Sequence, residues 1–163
     1  MTKSALSCNI IVERERRKPK MMKEINFDMD GTIANLYGEE NWLSDLINEK
    51  TTPYENAKPM VNMNSLARIL NRLIANGYSV NIISWTSKNG TEEYNARVET
   101  AKKIWLSKHL KSVNFTAIKI LPYGEPKQNH GNGILFDDEE PNRRNWNGIA
   151  YDEKNIIKIL KEI

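Results

Sequence analysis

The strongest constraint on this chain is an alternation of two periodicities. Five short apolar runs read as strands, at residues 25–29, 78–84, 115–121, 133–136 and 148–151. Between them, apolar residues recur three and four apart, as on one face of a helix. Leu66, Ile69, Leu70, Leu73 and Ile74 carry this spacing, with Asn64 placed as N-cap and Gly77 as the residue just past the end. Residues 91–110 repeat it, with Tyr94, Val98, Ala101, Ile104 and Trp105 on one side. Asp152 is expected to cap a last helix carrying Ile156, Ile159, Leu160 and Ile163. Strands alternating with helices of this length predict βαβ units. The expected fold is therefore α/β, with a central parallel sheet in a three-layer, Rossmann-like arrangement. In such a sheet ligands bind outside the carboxyl ends of the strands, so functional residues are sought there.

At 163 residues the chain has the length of one ordinary domain. It contains no internal repeat, and no apolar run approaches the length of a membrane span. Basic residues near the start have no apolar block behind them, so no secretory signal is read. The single cysteine, Cys8, has no internal partner. A cytoplasmic protein without membrane attachment is the resulting expectation. Charge divides the chain unevenly. Residues 1–23 hold seven Lys/Arg against two Glu, a net of +5, so of the total +3 the other 140 residues carry −2. Residues 1–21 are read as a basic, flexible N-terminal extension ahead of a domain at 22–163, and Met21 or Met22 is a candidate natural start. A basic arm of this kind also admits nucleic-acid binding.

The polar constellations fall at the predicted strand ends. The first run closes in Asp28-Met29-Asp30-Gly31-Thr32, the second in Ser84 and the fourth in Asp137-Asp138, while Lys127 follows the third after a Pro-Tyr-Gly-Glu-Pro turn. Residues two apart in an extended chain share a side, so Asp28 and Asp30 can face one crevice while Met29 points inward. Gly31 allows a sharp turn with no Cβ in the way. Carboxylates so close repel one another, and a hard divalent cation relieves that; Mg²⁺ favours one or two carboxylates with waters and phosphate oxygens. Asp137 and Asp138 would complete such a site. A calcium-hand loop beginning at Asn26 fails, because its twelfth position is Tyr37 rather than a bidentate Glu. An Asp-x-Asp of the glycosyltransferase kind accounts for neither Ser84 nor Lys127. Thr86 competes with Ser84, and Lys119 lies inside the third strand. His109 and His130 lack partners at metal-ligand spacing and are read as structural or surface residues.

Taken together, the segments Phe27-Asp28-Met29-Asp30-Gly31-Thr32-Ile33, Val80-Asn81-Ile82-Ile83-Ser84, Lys127 and Ile134-Leu135-Phe136-Asp137-Asp138 resemble, in order, the four motifs of the haloacid dehalogenase-like hydrolases. The resemblance covers residues 22–163. It implies a Mg²⁺-dependent phosphohydrolase acting on phosphomonoesters through an aspartyl-phosphate. On that resemblance Asp28 is the nucleophile, and Asp30 is the acid that serves the leaving group and then the base that activates water. Ser84 bonds a phosphoryl oxygen and Lys127 neutralises charge. Mg²⁺ is held by Asp28, Asp137 and the backbone carbonyl of Asp30, with Asp138 orienting the site from behind.

In the same superfamily, insertions form caps that select the substrate. The stretch from Lys127 to Asp137 is too short for a large one. Residues 35–63 leave room only for a minimal cap or flap, with one short helix from Trp42 to Lys50 and a Thr-Pro-Tyr turn. Such a flap suits a phosphorylated small molecule such as a nucleotide, with or without help from a second subunit, or an open site for a nucleic-acid end. Tyr37, Trp42 and Tyr54 are placed either to stack on a base or to pack the flap, the latter being expected of Trp42. Trp85 lies near the crevice on either reading. Arg143 and Arg144 are read as solvated. Two rivals belong to other classes. One is a catalytically silent binding or regulatory protein on the same fold, against which both Asp28 and Asp30 speak. The other is a nucleic-acid-binding module working through the basic arm.

Overall fold

The computed structural model describes residues 23–163, so the basic segment and the alternative start at Met21 or Met22 lie outside the described residues. The chain begins with β1 (Glu24–Phe27), crosses a flap, and re-enters the body at α3. The flap comprises β2 (Ala34–Asn35), a 3-10 turn at Leu36–Gly38, α1 (Trp42–Ile47), α2 (Thr52–Asn56) and β3 (Lys58–Pro59). The body continues through α3 (Met63–Ala75), β4 (Ser79–Trp85), α4 (Glu92–His109) and β5 (Ala117–Leu121). A 3-10 turn at Lys127–Asn129 leads to β6 (Ile134–Phe136), α5 (Glu140–Asn145), β7 (Ile149–Tyr151) and α6 (Ile156–Glu162).

The five longer strands form one parallel sheet in the order β5-β4-β1-β6-β7. β1 is central: Ile25 pairs with Val80 and Ile134, and Phe27 with Ile82 and Phe136. Ile25, Asn26 and Phe27 are all buried, as a strand covered on both faces requires. Asn26 is accommodated because its amide donates to Asn132 O (2.6 Å) and Ile134 O (3.1 Å), and its oxygen accepts from Asn81 (3.0 Å). From β1 the chain steps outward through β4 to β5, then returns to the far side for β6 and β7. Right-handed crossovers then place helices on opposite faces for the two directions. One face carries Phe27, Ile82 and Phe136 against Leu70 of α3, Trp105 of α4 and Leu160 of α6. The other carries Ile83 and Leu135 against Trp146, which follows α5. The three-layer α/β arrangement is thus present, with unequal outer layers. Among the described residues no helix is long and apolar enough to cross a membrane.

Several local expectations shift. The N-cap of α3 is Asn62, whose side chain accepts from Ser65 N at 2.9 Å, and Asn64 falls inside the first turn. Gly77 does take the left-handed conformation (φ 88°) after the helix end. Asp152 closes a turn onto Lys154 N (3.1 Å) instead of capping α6, which starts at Ile156. On α4 the buried arc runs through Tyr94, Val98, Ala101, Lys102, Trp105 and Leu106. At 3.6 residues per turn Ile104 lies beyond the edge of that arc, and it is 61% exposed.

The flap is small, as its length requires. The antiparallel pair β2–β3 closes its base (Ala34 with Pro59, Asn35 with Lys58). The expected Thr-Pro-Tyr turn is the first turn of α2, where Pro53 has no helical N–H to lose. Leu36 and Tyr54 pack on Tyr94, Val98 and Ala101 of α4. Beyond this contact the Glu49 carboxylate accepts from Thr91 N (2.9 Å) and Thr91 Oγ1 (3.0 Å), at the N-terminus of α4. Tyr94 donates to Lys50 O (2.8 Å), and Trp105 Nε1 to Ala57 O (2.7 Å). The flap is therefore bolted along α4.

Candidate functional site

At the end of β1 the Asp28 N–H still bonds to Phe136 O (2.9 Å), which ties this carboxylate to the end of β6. The chain then folds back on itself: Met29 O accepts from the N–H groups of Thr32, Ile33 and Ala34 at 3.1, 3.0 and 2.9 Å. Met29 is buried, while Asp28 and Asp30 open on one crevice. The turn needs Gly31 twice over. Its φ is +76°, and a Cβ there would collide with Asp138 Oδ2 and stand 2.8 Å from Tyr37 Cε2. A residue without a side chain is what lets the loops after β1 and β6 nest.

Nesting brings three carboxylates together. Asp28, Asp137 and Asp138 each offer an oxygen within 4.8 Å of the others. Lys127, 2% exposed, inserts its ammonium between two of them, 3.0 Å from Asp28 Oδ1 and 2.6 Å from Asp137 Oδ2. Burial pulls the Lys127 pKa down, but Asp28 and Asp137 outweigh it and hold the group above the usual lysine range. Burial, then the Asp28 charge, push Asp137 up to about 6 against the pull of Lys127. Burial, Asp28 and Asp137 push Asp138 up to about 7. One cation thus pairs with two of the three clustered acids, and like charges at this spacing raise the pKa of their neighbours.

The loop bearing Asp137 and Asp138 is held in place by neutral and cationic donors. Glu139 N donates to Asp137 Oδ1 (2.9 Å), and Asn142 Nδ2 reaches both Asp137 oxygens at 3.2 Å. Thr32 Oγ1 accepts from Asp138 N (3.0 Å) and donates to Asp138 Oδ1 (3.2 Å). Arg143 is not solvated as expected; it donates to Asp137 O (2.7 Å) and Asp138 O (2.6 Å). Arg144 is exposed beside Glu140.

Asp30 and Ser84 are arranged differently from expectation, and one residue that the sequence pattern did not single out explains both. Lys102, in the middle of α4, is 1% exposed. Its ammonium donates to Asp30 Oδ2 (2.5 Å), Ser84 Oγ (3.0 Å) and Trp85 O (2.6 Å). The Asp30 carboxylate therefore points at Lys102 and stays outside the Asp28–Asp137–Asp138 cluster. Ser84 is wholly buried with its hydroxyl committed to Lys102, whereas Thr86 lines the crevice. Side chains alternate along β4, and only past its end at Trp85 does the chain turn toward the opening. Asp30 itself is raised above the usual carboxylate range, by burial first and by Asp28 as well, with Lys102 opposing. A sequence signal for Lys102 exists: it occupies an apolar-face position of α4, four residues after Val98 and three before Trp105. A lysine there must either leave the face or find buried partners.

The remaining candidates lie elsewhere. Lys119 donates to His130 O, His130 pairs with Glu125 (2.8 Å), and His109 packs on the Trp105 ring (4.4 Å between centroids).

Above the carboxylates the crevice opens into a cavity of about 540 Å³ between flap and strand ends. Tyr37 and Trp42 line it from the flap, meeting edge to face at 5.0 Å. Trp85 and Tyr123 line it from the body, 5.2 Å apart. The Trp85 ring is fixed by its Nε1 donating to Glu125 O (2.8 Å), and Lys127 Nζ lies 4.7 Å from its centroid. Tyr54 is buried at the crevice wall, so it packs the flap as well as lining it.

The three carboxylates fit a hard divalent cation: the donors are all oxygens, two of the three side chains are buried, and their mutual repulsion is only partly offset by Lys127. No protein-family model matches the chain, and no curated protein sequence is similar to it. Among solved structures, the chain is similar to D,D-heptose 1,7-bisphosphate phosphatase from Burkholderia thailandensis at 7% identity and a TM-score of 0.46, over 85% of this chain and 96% of that one.

Proposed function

We propose that this protein is a Mg²⁺-dependent phosphohydrolase that cleaves phosphomonoesters through a phosphorylated Asp28. The observation that carries the reading is the placement of Lys127 between Asp28 (3.0 Å) and Asp137 (2.6 Å), at strand ends where Asp138 joins them and Asp30 opens on the same crevice. A nucleophilic carboxylate, a fixed cation, a cation-binding acid cluster and a separate acid are the parts that phosphoryl transfer through a carboxylate needs.

Asp28, Asp137 and Asp138 would hold the divalent ion, together with the carbonyl of Asp30 that the family resemblance adds. When bound, the ion supplies positive charge to the phosphoryl oxygens and to the acid cluster. The protein's own residues do the rest. In the first half, an Asp28 oxygen bonds to phosphorus as the bond to the leaving oxygen breaks, and Asp30 delivers its proton to that oxygen. In the second half, the Asp30 carboxylate takes a proton from water while the water oxygen bonds to phosphorus. The bond to Asp28 then breaks, phosphate leaves, and both acids return to their starting states. A raised Asp30 pKa suits the donor role, because a carboxyl must hold its proton to give it. Lys127 balances negative charge on Asp28 and the phosphoryl group. Thr86, which lines the crevice, takes the phosphoryl contact first expected of Ser84, while Ser84 anchors Lys102.

The test is phosphate release from a panel of aryl, alkyl, nucleoside and sugar phosphates with Mg²⁺, comparing wild type with Asp28→Asn. Release that requires both Mg²⁺ and Asp28, with acid-stable trapping of phosphate on the wild-type chain only, is the expected result. Undiminished release by a folded Asp28→Asn protein would remove Asp28 from the chemistry. Asp30→Asn should slow alkyl phosphates more than activated aryl phosphates, and an equal effect on both would remove the acid role from Asp30.

A further inference from the structure

We infer that the substrate's leaving group carries a planar aromatic ring, joined to the phosphoryl oxygen by a short linker and seated among Tyr37, Trp42, Trp85 and Tyr123. The inference rests on the phosphohydrolase reading and narrows its substrate class.

Three observations lead to it. The first is continuity with the phosphoryl site. Lys127 Nζ lies 4.7 Å from the Trp85 centroid, and the same ammonium is 3.0 Å from Asp28. A phosphoryl oxygen accepting from Lys127 at about 3 Å therefore sits beside this ring, and a leaving group extends from there within a few bonds. The second is the surface offered. Tyr37 and Tyr123 remain 46% and 48% exposed, so aromatic area is left in water next to the reacting groups. Leu43 and Ile47 of α1 continue the apolar lining outward. Packing on the Trp105 side of α4 and the contacts of Glu49 with Thr91 hold the flap where these rings are presented.

The third is what the cavity withholds. A sugar or polyol leaving group would need partners for several hydroxyls, and burying a hydroxyl without one is costly. Most charged side chains here are already engaged. The Glu49 carboxylate is held by Thr91, and the Asp30 carboxylate by Lys102. Besides Lys127, a second phosphate would have Lys88 alone for a cation, with Glu139 also lining the cavity. A ring asks for none of these groups and gains from the faces present.

The test uses the full chain with Mg²⁺ and three alkyl phosphates of similar leaving-group chemistry: ethyl, 2-cyclohexylethyl and 2-phenylethyl phosphate. The corresponding phosphonates, which cannot be hydrolysed, report binding through tryptophan fluorescence. The planar ring should be favoured about tenfold over cyclohexyl in kcat/KM, mainly through KM, and in phosphonate binding. In Tyr37→Leu and Trp42→Leu that ratio should fall toward one. Equal or better use of the cyclohexyl substrate, with matching phosphonate affinities, would overturn the inference and leave the phosphohydrolase reading standing. Ring-selective phosphonate binding without turnover of any phosphate would do the reverse, upholding the ring site and overturning the hydrolase. Absence of both turnover and ring-selective binding, in a protein with native unfolding behaviour, would overturn both.

Discussion

Replacing Lys102 by Met keeps the length of the side chain and removes its charge. In the wild type the ammonium has three acceptors, Asp30 Oδ2, Ser84 Oγ and Trp85 O, and almost no contact with water. Removing one partner of a buried ion pair costs about 3–5 kcal/mol, because the other charge stays buried and uncompensated. Asp30 can limit that loss by taking up a proton. Its pKa is already raised in the folded state, and loss of Lys102 raises it further. A carboxyl whose folded pKa lies above its unfolded value favours folding at low pH, and that advantage disappears as pH rises through the folded pKa. The penalty in Lys102→Met should therefore be smaller at pH 4.5, where mainly Ser84 Oγ and Trp85 O lose their donor, than at pH 7.5, where it should reach about 3–4 kcal/mol. For a domain of this size that corresponds to roughly a 10 °C fall in melting temperature. Urea unfolding of wild type and variant at both pH values measures it, with the slopes compared to verify that the unfolded state is unchanged. A loss below about 0.5 kcal/mol at both pH values would refute the assignment of Lys102 as the partner of Asp30.

Gly31→Ala should destabilise by about 2–4 kcal/mol and abolish activity, because the added Cβ meets Asp138 Oδ2 and φ is positive; calorimetry together with phosphate release checks both. Thr86→Val should lower kcat by about tenfold or more with little loss of stability, whereas Ser84→Ala should lower stability by about 1–2 kcal/mol through the unsatisfied Lys102; the reverse pattern would return the phosphoryl contact to Ser84. Millimolar Mg²⁺ should raise the melting temperature of the wild type, and Asp137→Asn should remove most of that rise; an equal rise in both would place the ion elsewhere.

On the proposed reading, the aromatic cavity would let a flap of this size select a substrate. A large cap encloses a substrate by volume. Here α1 and α2 present two rings and several aliphatic side chains, and α4 holds them through Glu49, Lys50 and Ala57. Selection would then come from the shape of the faces presented. The half-exposed Tyr37 sits directly over Gly31, so the flap and the acid-bearing turn are matched at atomic distance.

Much of this molecule is legible in its sequence. The five strands fall within one or two residues of their apolar runs, since a strand covered on both faces must be apolar almost throughout. The parallel sheet follows from strands alternating with amphipathic helices, and the ends of those strands marked Asp28, Asp30, Lys127, Asp137 and Asp138 as worth attention. Capping was less legible: Asn62 and Asn64 are chemically equivalent, and only backbone geometry decides which one reaches an N–H.

Side-chain direction beyond the strand ends was not legible at all. Ser84 and Thr86 stand two apart and carry the same hydroxyl chemistry, yet one is enclosed beneath Lys102 and the other faces the crevice. Lys102 reads in the sequence as one charge among many on a long helix, because the acid that accepts it lies 72 residues away. The same holds for Arg143, which braces a loop instead of facing solvent. Local pattern determined the elements, their order and the acids at their ends, because periodicity and burial act over a few residues. Tertiary structure alone decided which charges meet, because a salt bridge depends on the distance between atoms that distant segments bring together.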